Sequence, residues 1–255
     1  MNKIIKIIFL DILKSKIIIA YTLMLAILSW SSFVLEDNET KGVLTILNVI
    51  LFTVPLVSVL FSTIYVYNSS EFVEMLLSQP VKRKKIWIGL FSGLSLSLVL
   101  AFLIGSGIPL LVYSPDKVGV MMIVMGSLIS VIFASLACLG SIMTRDKAKG
   151  IGIAIMLWLY FALIFDGIVL FLLFQLSEYP IENAMVGITT LNPIDLARIQ
   201  ILLELDVSAM MGYTGAVFKK VLGTSSGLMI SFALLCLWFV VPFWISLKKF
   251  IKKDL

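Results

Sequence analysis

Hydrophobic residues along this chain run on in long blocks rather than alternating with polar ones. Six blocks, at about residues 17–35, 43–67, 86–112, 119–143, 151–176 and 225–247, are almost uninterrupted by charge. A helix needs about 20 apolar residues to cross about 30 Å of hydrocarbon, and each block is long enough. The pattern predicts an all-α integral membrane protein, with six transmembrane helices in one membrane domain over 1–255. Pro55, Pro109 and Pro242 fall inside the second, third and sixth spans. Each lacks the N–H that a helix uses, which predicts a local kink or break.

The first sixteen residues are patterned differently. At about 100° per residue, Lys3, Lys6, Asp11 and Lys14 share one polar arc, while Ile4, Ile5, Ile8, Phe9, Ile12 and Leu13 fill most of the rest. This phasing predicts a helix over 1–16 lying along the membrane surface. Gly89 and Gly93 form a G-x-x-x-G at the start of the third span, a spacing that lets two helices approach closely.

Composition agrees with a membrane protein: 60% of residues are hydrophobic and 14% charged, with a mean hydropathy of +1.11. Soluble domains hold about 45–50% apolar and about 25% charged residues. Charge adds a direction. Lys3, Lys6, Lys14 and Lys16, the run 82–85, Arg145, Lys147 and Lys149, and Lys248, Lys249, Lys252 and Lys253 all fall on one side of a six-span arrangement. Only Lys41, Lys117, Arg198, Lys219 and Lys220 fall on the other. The positive-inside rule then places both termini in the cytoplasm and reads the net charge of +5 as topology rather than nucleic-acid binding. The run after Lys16 is too long for a signal-peptide core and lacks an A-x-A site, so the first span is expected to stay in the membrane.

The chain has no histidine, which excludes His-based triads and His-ligated zinc. It has no G-x-x-x-x-G-K-[ST] loop either, so any nucleotide is expected on another chain and this one is not expected to be an enzyme. Cys138 and Cys236 lie in separate apolar runs and are expected to be buried free thiols. Met121, Met122 and Met125, with Met210 and Met211, form soft clusters towards the outer side. Thioethers bind Cu(I), but apolar packing accounts for them more simply, and no metal site is expected.

Three segments carry polar information. In the first, 68–85, Asn68 is expected to cap a short helix with Glu71 returning the bond. Glu71 and Glu74 suit the positive end of that helix, Phe72, Met75, Leu76 and Leu77 give it an apolar face, and Pro80 stops it. Such a face must dock on another subunit, the membrane surface or the N-terminal helix. In the second, Asp166 lies roughly mid-membrane in the fifth span. A charged carboxylate there costs about 2.5–3.5 kcal/mol, so it should be protonated, paired or facing a polar cavity. That places it on a polar path through the membrane, at an interface between two copies of the chain, or bonded as a neutral acid to a neighbouring helix. The third is the extracytoplasmic segment 177–224, with its L-N-P-I-D-L-A-R-I. There Asn192 caps a helix, Pro193 takes the first position, Asp195 sits near the positive end and pairs with Arg198 three residues on. Ile194, Ile199, Leu202 and Leu203 are apolar and predict a helix resting in the outer interface, its polar residues either starting the helix or meeting an outer partner.

Glu71, Leu76, Leu77, Ser78, Pro80, Val81 and Arg83, leading into the third span, resemble the type-2 ABC transporter permeases, although this chain has Gly89-Leu90 where that family often has Gly-Lys. The resemblance implies that 68–85 is a coupling helix inserted into an ATP-binding subunit, through Glu71, Phe72, Glu74, Met75, Leu76, Leu77, Pro80 and Arg83. It also implies two copies of a cytoplasmic ATPase carrying ATP and Mg, and a second permease copy forming a homodimer in the lipid bilayer. Phe165-Asp166, then Leu191, Asn192, Pro193, Asp195 and Arg198, with Ala209 and Met210-Met211-Gly212, are similar to the Nos-type branch of these permeases. That implies an extracytoplasmic β-helical partner and support for copper–sulfur centre assembly in nitrous oxide reductase, an enzyme of denitrification. The support would be a sulfur species or mechanical work on the partner. The alternative is an exporter of a drug, lipid or peptide on the same scaffold.

Overall fold

In the computed structural model, which describes residues 2–36, 38–175, 182–205 and 223–252, every regular element is a helix. The spans are α2 (Lys16–Leu35), α3 (Glu39–Asn68), α5 (Arg83–Phe102), α7 (Lys117–Met143), α8 (Lys147–Leu159) and α12 (Ser225–Lys252). Two of them run on through a π turn: α5 through Leu103–Gly107 into α6 (Ile108–Tyr113), and α8 through Tyr160–Ile164 into α9 (Phe165–Gln175). These six units are long and apolar enough to cross a membrane, and they match the six predicted blocks. The shorter helices are α1 (Asn2–Leu13), α4 (Ser70–Leu77), α10 (Glu182–Thr189) and α11 (Pro193–Glu204).

Side-chain carboxamides and carboxylates start several spans by taking backbone N–H groups that have no helical acceptor. Asn38 accepts from Thr40 at 3.0 Å, Asp116 from Gly119 at 3.1 Å, and Asp146 from Ala148 and Lys149 at 2.7 and 3.2 Å.

The most buried span is α7, which packs against α3, α12, α5 and α11. Its small residues make that possible. The ring of Phe102 lies on Gly126 where a Cβ would stand, and Ser130, Ser135 and Ser141 turn their hydroxyls back to carbonyls of their own helix. A second seam joins α5 to α12 through aromatic rings. Trp87 stacks on Phe250 at 4.5 Å and donates its indole N–H to Ser246 at 2.9 Å, and Phe91 stacks on Phe243 at 4.2 Å.

Of the three prolines, only Pro109 coincides with a departure from α geometry. Ile108 donates to Leu103 rather than to Ile104, and Pro109 follows with no N–H to give. The wider turn also brings Gly105 against Leu25 of α2, and Ser106 accepts from Ser29 of α2 at 2.9 Å. Around Pro55 and Pro242, α3 and α12 run on without the predicted break.

The G-x-x-x-G serves the N-terminal helix. A Cβ on Gly89 would meet Ile4 Cγ2 at 2.9 Å, and one on Gly93 would meet Ile8 Cγ2 at 2.7 Å. Ile8 and Ile12, one helical turn apart, are buried there, and Tyr65 of α3 donates to Asp11 at 3.1 Å. Both ends of the chain are thus gathered at one end of the bundle: α1 lies along the start of α5, and Arg83 donates to the Ile251 carbonyl at 3.3 Å.

Gly93→Ala is expected to lower stability by about 1–3 kcal/mol through overpacking against Ile8, despite alanine's better helix propensity. Adding Ile8→Ala should recover part of that loss; thermal unfolding of the two single variants and the double variant in detergent checks it.

Candidate functional site

The helix α11 starts as its sequence dictates. Asn192 accepts from the Ile194 N–H at 3.0 Å, and Pro193 takes the first helical position. Its location corrects the expectation of a helix resting in the outer interface. Ile194, Asp195, Leu196, Ala197, Gln200 and Ile201 are buried against α7, α12, α3 and the π turn of the fifth span. With α10, it forms a hairpin closed by a tight turn in which Leu191 donates to Ile188 and Asn192 to Thr189. Trp238 donates its indole N–H to the Thr190 carbonyl at the hairpin tip, at 3.0 Å. At 1.5 Å per residue, Trp238 lies about 16 Å along α12 from Gly227, so the tip reaches roughly the middle of the span. Non-helical backbone at that depth is tolerated where its polar groups find partners in the protein, as the Thr190 carbonyl does in Trp238.

The π turn of the fifth span supplies the anchor. Phe165 donates its N–H to Tyr160 instead of Phe161, which deprives the Phe161 carbonyl of its α-helical donor. The Asn192 amide donates to that carbonyl at 2.9 Å, and also to Asp195 at 2.9 Å. One turn further along α11, Arg198 Nη1 reaches Asp166 at 3.0 Å and Asp195 at 3.3 Å. Gln200 donates to Ser231 of α12 at 2.7 Å. The hairpin is therefore clamped to the fifth span by Asn192 and Arg198 and to the sixth by Gln200 and the Trp238 contact.

Sequence reasoning anticipated the Asp195–Arg198 pair and the need for Asp166 to find a partner, but not that Arg198 serves both. The signal available was the cost of two lone charges, one in a span and one in an apolar helix. Asp195 is nearly enclosed, whereas the Asp166 and Arg198 side chains keep 35% and 31% exposure. Those two therefore face outward, beside a cavity of about 400 Å³ lined by Asn48, Phe52 and Thr53 of α3 with Ala162, Ile194 and Arg198. Burial, and then the nearby Asp166 carboxylate, push the Asp195 carboxyl up to about 7, against the pull of Arg198.

At the end of the bundle that carries the termini, the capping box expected from Asn68 and Glu71 does not form. Asn68 is the last residue of α3, and Ser69 stands between the two helices. Asn68 instead accepts from Lys147 at 2.7 Å, Tyr67 shares a hydrogen bond with Thr144 Oγ1 at 2.6 Å, and the Tyr67 ring fills the place of a Cβ on Gly150. The base of α4 is thereby fastened to the turn between α7 and α8, a contact no local pattern announces. Leu76, expected on the docking face, is buried with Val73 in the bundle, and Phe72 and Leu77 are half-buried. Glu71, Glu74, Met75 and Pro80 are exposed, while half-buried Arg83 is drawn to α12.

The remaining candidates scatter. Met122 and Met125 are in the packed core of α7 and Met121 is half-buried. Cys138 is buried as expected, but Cys236 is exposed on the outward side of α12, because its apolar run faces away from the bundle there. Ala209, Met210, Met211 and Gly212 lie outside the described residues.

Arg198→Gln is expected to destabilise by about 1–3 kcal/mol, less than a fully buried pair would lose, and more than Asp166→Asn does. The double variant should fall short of the sum of the two losses, which a double-mutant cycle in detergent measures. Unfolded, Asp195 ionises near 3.8 while the folded chain keeps its proton to about 7, so its contribution is lost as pH rises through that window. Asp195→Asn should flatten the pH dependence of the thermal midpoint there.

The sequence profile of the ABC-2 family transporter proteins matches residues 68–255, from the base of α4 through the hairpin to the end of the chain. Two proteins named "Probable ABC transporter permease protein NosY" are similar. The one from Pseudomonas aeruginosa is 30% identical over 173 residues, 63% of each chain, and that from Stutzerimonas stutzeri is 29% identical over 161 residues, 58% of each. The matched stretch thus spans less than two thirds of either relative. The profile takes in both the α4 junction and the clamped hairpin, and the chain belongs to the ABC-2 family of transporter proteins, as a membrane permease of an ABC transporter.

Proposed function

We propose that this permease works as a Nos-type unit, transmitting the work of a cytoplasmic ATPase to an extracytoplasmic β-helical partner that supports copper–sulfur centre assembly in nitrous oxide reductase. The cargo of that work is a sulfur species or a mechanical displacement of the partner. The observation that carries the reading is the clamp of Asn192 and Arg198 onto Phe161 and Asp166, because it makes the L-N-P-x-D-x-x-R hairpin move with the fifth span. The other end of that span is fastened to the base of α4 through Tyr67, Asn68, Thr144, Lys147 and Gly150. A push on α4 from the cytoplasm would therefore reach the outer half of the bundle along the fifth span.

In this reading the basic end of the bundle faces the cytoplasm. ATP and Mg are held by two copies of the partner ATPase, and the free face of α4, formed by Glu71, Glu74 and Met75, meets a basic and apolar groove on it. A second copy of the permease covers the face that carries Asn48, Asp166 and Arg198, since polar groups left against lipid are costly. The cavity beside Arg198 favours a second reading, an exporter that takes an amphipathic drug, lipid or peptide there.

A tagged pull-down from mildly solubilised native membranes separates these readings. An ATPase together with a β-helical periplasmic protein is expected; an ATPase alone would turn the function to the exporter, and neither would overturn the assignment of α4. Glu71→Lys with Glu74→Lys is expected to lower ATPase capture at least tenfold without moving the thermal midpoint of the permease; undiminished capture would sink the docking face.

A further inference from the structure

We propose that a groove between the ends of α7 and α12 binds the phosphate-bearing headgroup of an anionic phospholipid in the leaflet at the basic end of the bundle. The groove, of about 440 Å³, is lined by Lys248, Lys249 and Lys252 above and by Ile142, Met143 and Ile245 below. Among the described residues no carboxylate lies within ion-pair distance of the three ammonium groups. Asp254, the nearest acid in sequence, is outside the described residues. Lysines that served only to fix topology would have no need to converge on a cavity with an apolar floor.

The groove's construction fits an amphipathic anion better than a free one. Lys248 Nζ sits 3.4 Å from the centre of the Trp244 ring, which pins one cation at the depth where tryptophan marks the boundary of hydrocarbon and headgroups. Trp244, Val241, Ile251 and Met143 are all exposed around it, so the surface below the lysines is one that acyl chains would cover. A headgroup phosphate can take the lysine donors while its chains run down over Ile245 and Val241. Basic pockets between transmembrane helices bind anionic headgroups by this combination of point charges and apolar wall.

The test uses the full chain purified in a neutral detergent, titrated with phosphatidylglycerol, phosphatidylcholine and glycerol phosphate and read by native mass spectrometry. Phosphatidylglycerol is expected to bind in preference to phosphatidylcholine. Each lysine removed should weaken it about fivefold, so that Lys248→Gln, Lys249→Gln and Lys252→Gln together cost roughly a hundredfold, while arginine at the same three positions stays within a few-fold of wild type. Phosphatidylcholine binding as tightly as phosphatidylglycerol, or the glutamine variant binding it undiminished, would overturn the proposal. Glycerol phosphate binding as tightly as the lipid would do so as well, by making this a site for free phosphate esters. Should the triple glutamine variant fail to insert, Lys249→Gln alone carries the same comparison, with fivefold weakening expected and wild-type affinity counting against the site.

Discussion

Without water in the hydrocarbon, a carbonyl that loses its helical donor must be satisfied by another group of the protein. Phe161 has such a carbonyl, and the half of the molecule away from the termini is arranged around its repair. Asn192 can reach it only because the loop between the fifth and sixth spans folds back into the bundle. Once there, the hairpin brings Arg198 within reach of Asp166, the acid that the span could not have kept alone. The Trp238 indole then satisfies the turn itself, and Gln200 ties the same helix to α12. One irregular turn thus recruits a helix, and the helix neutralises a charge.

The two ends of the bundle solve different problems. At the half away from the termini, the contacts tie a returning hairpin to the spans on either side of it, Arg198 to Asp166 and Gln200 to Ser231. At the basic end they join a helix end to the neighbouring turn, through Tyr67, Asn68, Thr144 and Lys147. Between them, α7 gives up bulk for closeness: Gly126 under Phe102 and serines folded back onto their own carbonyls leave little that could slide. Displacement is consequently more easily carried by the fifth span, which is among the least buried, than by the core helix it leans on.

The spans were legible because lack of charge over some twenty residues is itself enough to identify them. The cap at Asn192 was legible too, since the side chain, the proline after it and the acid two further on act within one turn. Depth was not. Ile194, Leu196, Ile199 and Ile201 are equally apolar whether they face lipid or protein, and hydropathy cannot say which. The same limit applies to α4, where Leu76 looked available for a partner but is spent on the bundle. Neither π turn has a compositional mark of its own; Pro109 pointed to one, and nothing in Y-F-A-L-I pointed to the other. The Asn68 cap failed for a local reason, because α3 runs into α4 with a single residue between them and leaves no N-terminus for Asn68 to close.

The π turn at Tyr160–Ile164 also changes how the fifth span should be numbered in the mind. Relative to an uninterrupted α-helix, a five-residue turn slips the register by one position, which turns everything beyond it by about 100°. The span is therefore two helices of different phase sharing an axis, with Asp166 belonging to the second. Any chain that lost one residue from this turn would keep its hydropathy and its six crossings. It would nonetheless swing the carboxylate away from Arg198 and return to Phe161 the donor that had freed its carbonyl for Asn192.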